Sequence, residues 1–61
     1  MLFTEAINAI CDGKHVRRKE WPNKKDYCLL QNTKLTIFIG GKFHDWVIND
    51  GDLLAEDWQV V

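Results

Sequence analysis

The sequence predicts an α+β fold, with one N-terminal helix packed on an antiparallel sheet of four to five short strands. Three observations lead there. Apolar residues near the N-terminus recur at helical spacing, and the middle of the chain consists of short β-prone runs divided by two-residue turn signals. The chain also has only 61 residues, enough for a single domain spanning residues 1–61.

The helix is expected over residues 4–12. Phe3, Ile7, Ile10 and Cys11, with Ala6 beside them, make one apolar stripe. Thr4 is an acceptable N-cap, Glu5 suits the positive end of the helix dipole, and Gly13 is a natural stop. A helix of about nine residues does not persist alone in water, so its stripe must lie on a sheet.

The strands follow in order. Residues 15–19 form a short, edge-like first strand, and Trp21-Pro22-Asn23 then turns the chain. Residues 26–31 and 34–39 are rich in Leu, Ile, Tyr and Phe, with Asn32-Thr33 as the bend between them. Gly40-Gly41 is a strong two-residue hairpin signal, because both positions tolerate positive φ. The next strand, 42–48, would then set Phe38 opposite Phe43, Ile37 opposite His44 and Leu35 near Trp46. Asn49 to Asp52 reads as a turn, Leu53-Leu54-Ala55 as a single apolar turn of chain, and 57–61 as a terminal strand.

Alternation puts Thr36, Phe38, Phe43 and Val47 on one sheet face and Leu35, Ile37, Ile39 and Trp46 on the other. One short helix covers one face only, so the second calls for a ligand or another subunit. Size points the same way. A core in so short a chain supplies only about 3–5 kcal/mol without a staple. Two cysteines, Cys11 and Cys28, fall far below a disulfide scaffold, and no signal-peptide pattern precedes them, so the expected setting is a reducing cytoplasm. No apolar run is long enough for a membrane helix. Zinc would need about four suitably spaced ligands. Cys11, His15, Cys28 and His44 are the only candidates and show no such spacing, so no metal or other cofactor is expected.

Net charge is −1, which speaks against a general nucleic-acid binder. The charge is nevertheless divided. Lys14, Arg17, Arg18, Lys19, Lys24 and Lys25 crowd one segment against Glu20 alone, whereas Asp45, Asp50, Asp52, Glu56 and Asp57 fill another. Two solvated faces that attract each other, within a chain or between subunits, are the plain account. A local cationic site for a small anion is the sharper one.

Catalysis is not expected. The chain has no serine, and neither histidine has a nucleophile near it in sequence. Glu56 and Asp57 would face opposite sides of a strand, Asp50-Gly51-Asp52 lacks the ligand spacing of a calcium loop, and Gly40-Gly41 lacks the rest of a phosphate loop. What remains is aromatic and cationic. Arg17, Arg18 and Lys19 lie beside Trp21, with Tyr27 just beyond. An indole next to guanidinium groups suits a nucleotide, whose base stacks on the ring while its phosphates pair with arginine. On composition alone, a core or interface role for Trp21 with a cation–π partner is the commoner arrangement, and more so for Trp46 and Trp58.

Two terminal patterns sharpen this. Leu2-Phe3-x-x-Ala6 with Gly13-Lys14-x-Val16-x-Arg18-x-x-Trp21, and Leu54-Ala55-x-Asp57-Trp58-x-Val60-Val61 at the other end, resemble a family of small phage and prophage proteins. That family includes the second type of Thoeris anti-defence protein and related anti-CBASS sponges. The resemblance covers about residues 2–21 and 53–61; longer members carry a larger central segment, where this chain has the compact double hairpin of 26–48. It implies a protein of the bacterial host cytoplasm that binds a cyclic nucleotide immune messenger, a cyclic dinucleotide or cyclic ADP-ribose isomer, and holds it uncleaved. It further implies a homo-oligomer, a tetramer ahead of a dimer, with sites between protomers. Carried over by motif, Trp21 is the base-stacking residue, Arg18 a phosphate contact or a structural partner of Asp57, and Phe3 an aromatic lining the same pocket. Asp57 and Trp58 match the closing motif as structural residues, and Trp46 corresponds loosely to a pocket residue. Arg17 and Tyr27 join this ligand-binding set through their place beside Trp21. The competing expectation is a small phage protein that blocks or adapts a host protein by direct contact through an open face or edge strand.

Overall fold

In the computed structural model, which describes residues Met1–Val61, a helix and a five-stranded antiparallel sheet form the predicted α+β architecture. The elements are α1 (Phe3–Cys11), β1 (Val16–Arg18), β2 (Tyr27–Gln31), β3 (Lys34–Ile39), β4 (Lys42–Asp45), α2 (Asp50–Leu54) and β5 (Trp58–Val60). The strand order is β4-β3-β2-β1-β5, so the two ends of the chain meet as neighbours.

Helix α1 begins two residues before the expected Thr4 cap takes effect. Leu2 is the N-cap, and its N–H is satisfied by the Glu5 carboxylate at 2.8 Å rather than by a side chain of its own. At the other end Gly13 has φ +87°, its N–H bonds the Ile10 carbonyl, and the Lys14 N–H bonds the Ala9 carbonyl. That is a Schellman closure, which needs a residue free to adopt the left-handed conformation.

The two central hairpins close as their sequences require. Phe38 pairs with Phe43 and Ile37 with His44 across Gly40 and Gly41, which have φ +60° and +79°. The Trp46 N–H reaches the Leu35 carbonyl at 3.1 Å. The β2–β3 turn has the same geometry without glycine, at Asn32 (φ +52°) and Thr33 (φ +62°).

Further expectations are corrected. The first strand, expected at an edge, lies inside the sheet between β2 and β5, because the C-terminal segment pairs along its other side. The strand over 42–48 ends at Asp45, because Trp46 turns inward onto the core while Val47, expected on the sheet, is 82% exposed. The segment read as a turn and a single apolar turn is the short helix α2. Its cause is local: Asn49 Oδ1 accepts the Asp52 N–H at 2.9 Å and starts the helix.

All six core residues, Ala6, Ile10, Val16, Cys28, Trp46 and Trp58, lie between α1 and one face of the sheet. Helix α1 covers β5, β1 and β2 on that face and leaves β3 and β4 uncovered beside it. Trp58 is the hub. Phe3, Trp21 and Trp46 meet its ring at centroid distances of 5.9, 5.7 and 5.7 Å, all edge-on or tilted, and its indole N–H donates to the Asp52 carbonyl at 3.1 Å. The opposite face carries a row of rings. His15 stacks on Tyr27 at 4.5 Å, Tyr27 on Phe38 at 5.1 Å, and Phe38 meets Phe43 at 4.9 Å. Nothing in the chain covers the Phe43 end, which is half exposed.

Candidate functional site

On the helix-bearing face, the part of the sheet that α1 leaves bare becomes the floor of a groove of about 510 Å³. That volume lies within the range of small-molecule sites. Ile37, Ile39 and His44 form the floor, since 35, 37 and 39 of β3 and 42 and 44 of β4 share this face. Trp21, early in the loop leaving β1, forms one wall, and Trp46 with Val47 forms another. Asn49 and Asp52, at the start of α2, close one end, where Asp45 also contributes.

The rigidity of the walls follows from the core. Trp46 is 7% exposed and held between Phe3 and Trp58. Trp21 is half-buried, with one edge against Trp58, so the indole is fixed while part of its surface remains open to the groove. A ring prepositioned in this way can stack a planar ligand with little further loss of side-chain freedom.

The residues singled out from the sequence occupy four places. Trp21 and Trp46 meet in the groove. Phe3 stands behind Trp46 and Trp58 in the aromatic core and does not line the groove. Tyr27 belongs to the stacked row on the opposite face, where both faces of its ring are covered by His15 and Phe38. Arg17 also projects from that opposite side of β1, is 4% exposed, and donates from Nη2 to the Trp21 carbonyl at 2.7 Å. Arg17 therefore anchors the loop that carries the indole.

Arg18 adopts the second of the two roles considered for it, the structural partner of Asp57. Its Nε donates to Asp57 Oδ1 at 2.8 Å, Nη2 donates to Glu20 at 2.6 Å, and Nη1 lies 3.9 Å from Asp52. Asp57 completes its own bonding by accepting the Glu20 N–H at 3.0 Å. The hydrogen bond from Arg18 holds the Asp57 carboxyl below the usual carboxylate range, and the same bond raises the Arg18 guanidinium further. A guanidinium shared by three carboxylates has little left for a phosphate.

Sequence reasoning did not single out Ile37, Ile39, Asn49 or Asp52 as site residues. The Gly40-Gly41 register that put His44 beside Ile37 was the available signal for the floor; the end wall depends on helix α2, where only turns were expected. No cluster of three His, Cys, Asp or Glu side chains with metal-binding geometry occurs in the chain.

A family model described as the Thoeris anti-defense 2-like domain matches residues 1–61. One curated relative, Thoeris anti-defense 2 of Bacillus phage SP01, is 29% identical over 84 aligned positions, which take in 100% of this chain and 94% of the relative. An alignment longer than the 61-residue chain means that the relative holds stretches this chain lacks.

Proposed function

Since the chain belongs to the Thoeris anti-defense 2-like family, we propose that it is an anti-defence protein that binds a cyclic nucleotide messenger in the Trp21–Trp46 groove and holds it without cleaving it. The messenger would be a cyclic dinucleotide, as for an anti-CBASS sponge, or a cyclic ADP-ribose isomer. The observation that carries the reading is the fixed, partly open indole of Trp21 above an apolar floor in a groove large enough for such a ligand.

Sequestration needs affinity without turnover, so the protein acts as a binder and not as an enzyme. In keeping with that, the groove is lined by aromatic and aliphatic side chains, an amide, two carboxylates and one imidazole, with no hydroxyl or thiol nucleophile among them. No helix is long and apolar enough to cross a membrane, in keeping with action in the bacterial host cytoplasm.

Assembly as a homo-oligomer, a tetramer ahead of a dimer, belongs to the same proposal. Only 9 of 61 residues are buried within one chain, which leaves much apolar surface for other copies to cover. A second reading, direct binding to a host protein, draws on a different observation. All four residues of the edge strand β4 are exposed, as a strand-adding partner would require.

Calorimetric titration with cyclic dinucleotides and cyclic ADP-ribose isomers tests the proposal. At least one is expected to bind, and Trp21→Ala should weaken that binding by about 1–3 kcal/mol while the assembly stays intact. Absence of binding to every messenger, together with a stoichiometric host protein recovered on the immobilised chain, would favour the second reading.

A further inference from the structure

The proposed ligand is an anion, yet the groove that would receive it has no arginine or lysine in its walls. The two arginines nearest in sequence to Trp21 are committed elsewhere, Arg17 inside the fold on the far side of β1 and Arg18 among three carboxylates. The ionisable groups that do line the groove are Asp45, Asp52 and His44. Asp52 and Asn49 sit at the α2 end; each accepts one N–H in the helix cap and Asp52 lies 3.9 Å from Arg18, so that end offers the remaining lone pairs of an amide and a carboxylate. Phosphate is unfavourable there, whereas sugar hydroxyls and base N–H groups find acceptors.

The opposite end is the β3–β4 hairpin. Lys42 pairs with Ile39, which lines the groove, and shares a sheet face with Ile39 and His44. Its ammonium is exposed and forms no ion pair; the only lysine that does is Lys34, bound to Asp45. Two other lysines of the sheet region are less well placed. Lys34 belongs to the opposite sheet face by its pairing with Gln31, and Lys19 continues the alternation of β1 onto the side of Arg17.

We infer that Lys42 is the phosphate-binding residue of the groove and that it orients the ligand, phosphate toward the Gly40-Gly41 hairpin and nucleoside donors toward Asn49 and Asp52. The inference rests on the reading of the Trp21 groove as a nucleotide site. It transfers the phosphate contact from the arginine pair beside Trp21 to a residue 21 positions further along the chain. A flexible, solvated ammonium suits this place, because a lysine acts on a phosphate as a point charge without needing the fixed fork of arginine.

Adenosine and AMP separate the two ideas, since they share base and sugar and differ by the phosphate. Both are titrated into the intact protein while the indole N–H resonance of Trp21 is followed by NMR, with cyclic ADP-ribose and cyclic di-AMP as larger probes. The expected result is that all variants shift with adenosine at similar affinity, while Lys42→Ala weakens AMP about tenfold and Lys42→Arg restores most of it. Lys14→Ala, past the end of α1 and outside the groove, should leave AMP affinity unchanged. Loss of AMP affinity in K14A as large as in K42A, or equal effects of K42A on AMP and adenosine, overturns the assignment while the groove stands. A Trp21 signal that moves with none of the four probes overturns the groove reading and the assignment with it.

Discussion

Arg18 and Asp57 stand 39 positions apart, yet their pairing ties the end of β1 to the segment leading into β5. Both oxygens of Asp57 are used, one by the guanidinium and one by the Glu20 N–H. Arg18→Ala should therefore destabilise the fold by about 1–2 kcal/mol in denaturant unfolding, the range for charged hydrogen bonds discounted for partial exposure. The pairing also sets a pH dependence. The Asp57 carboxyl is held below its ordinary value, so its stabilisation is complete above the ordinary range of a free aspartate and is lost as pH falls through the lower folded value. Asp57→Asn should flatten the acid limb of a stability–pH profile; an unchanged limb would assign that limb to other carboxylates.

Cys28 governs the alkaline side. Burial pushes its thiol from an ordinary 9.0 up to about 12, with the negative charge of Asp52 adding to the effect. Between those values the unfolded chain would release a proton that the folded chain retains, so stability declines as pH rises above about 9. In thiol labelling at neutral pH, the exposed Cys11 should react quickly and Cys28 only as fast as the protein opens. Equal rates for the two thiols would contradict the buried position of Cys28.

Among the elements, the hairpins were the most legible in the sequence and the short helix the least. Glycine at 40 and 41 announces a turn that needs positive φ at both positions, and that turn alone sets which β4 residue meets which β3 residue. Helix α2 escaped because its five residues show no apolar period; its start depends on the reciprocal cap between Asn49 and Asp52. The floor of the groove was thus within reach of sequence reasoning, while its end wall was not. The fates of Arg17 and Arg18 were harder still to read. Their strand neighbours, Gln59 and Trp58, come from the far end of the chain, and only the closed sheet decides which guanidinium is buried and which is paired.

The β2–β3 turn holds a correctable strain. Thr33 is β-branched and sits at φ +62°, a region that costs most residues about 1–2 kcal/mol. Thr33→Gly should raise stability by about 1 kcal/mol, although glycine also gains freedom in the unfolded chain. The reverse change in the other hairpin, Gly41→Ala, should lower it by a similar amount: nothing lies within 4 Å of the added methyl, so the cost comes from backbone conformation alone. Thermal melts of the two variants shifting in opposite directions would bear this out. A destabilised T33G would mean that the Thr33 side chain contributes more than its backbone strain removes.

At the scale of the whole molecule, the chain uses one face of its sheet twice. One half receives α1 and makes the core, and the other half, left bare, becomes the groove. The tryptophans join the two halves, with Trp58 inside, Trp46 at the boundary and Trp21 at the rim. Trp58→Ala should cost about 3–5 kcal/mol, as much as a core of this size supplies, and so should abolish cooperative folding and the groove together. The opposite face keeps its aromatic row and the exposed strand β4 available for other copies. Light scattering is expected to give a mass several times the 7.1 kDa of one chain, with a tetramer ahead of a dimer; a strictly monomeric protein would remove assembly from the account.

As proposed, this groove would hold a messenger and return it unchanged. The most direct test is to mix the purified protein with cyclic dinucleotides and cyclic ADP-ribose isomers, measure what remains free after filtration, then heat the retained fraction and identify what is released. Depletion of at least one messenger, its recovery intact on heating, and loss of depletion in Trp21→Ala are expected. Full recovery of every messenger in the filtrate, or release of a cleaved product, would contradict the proposal.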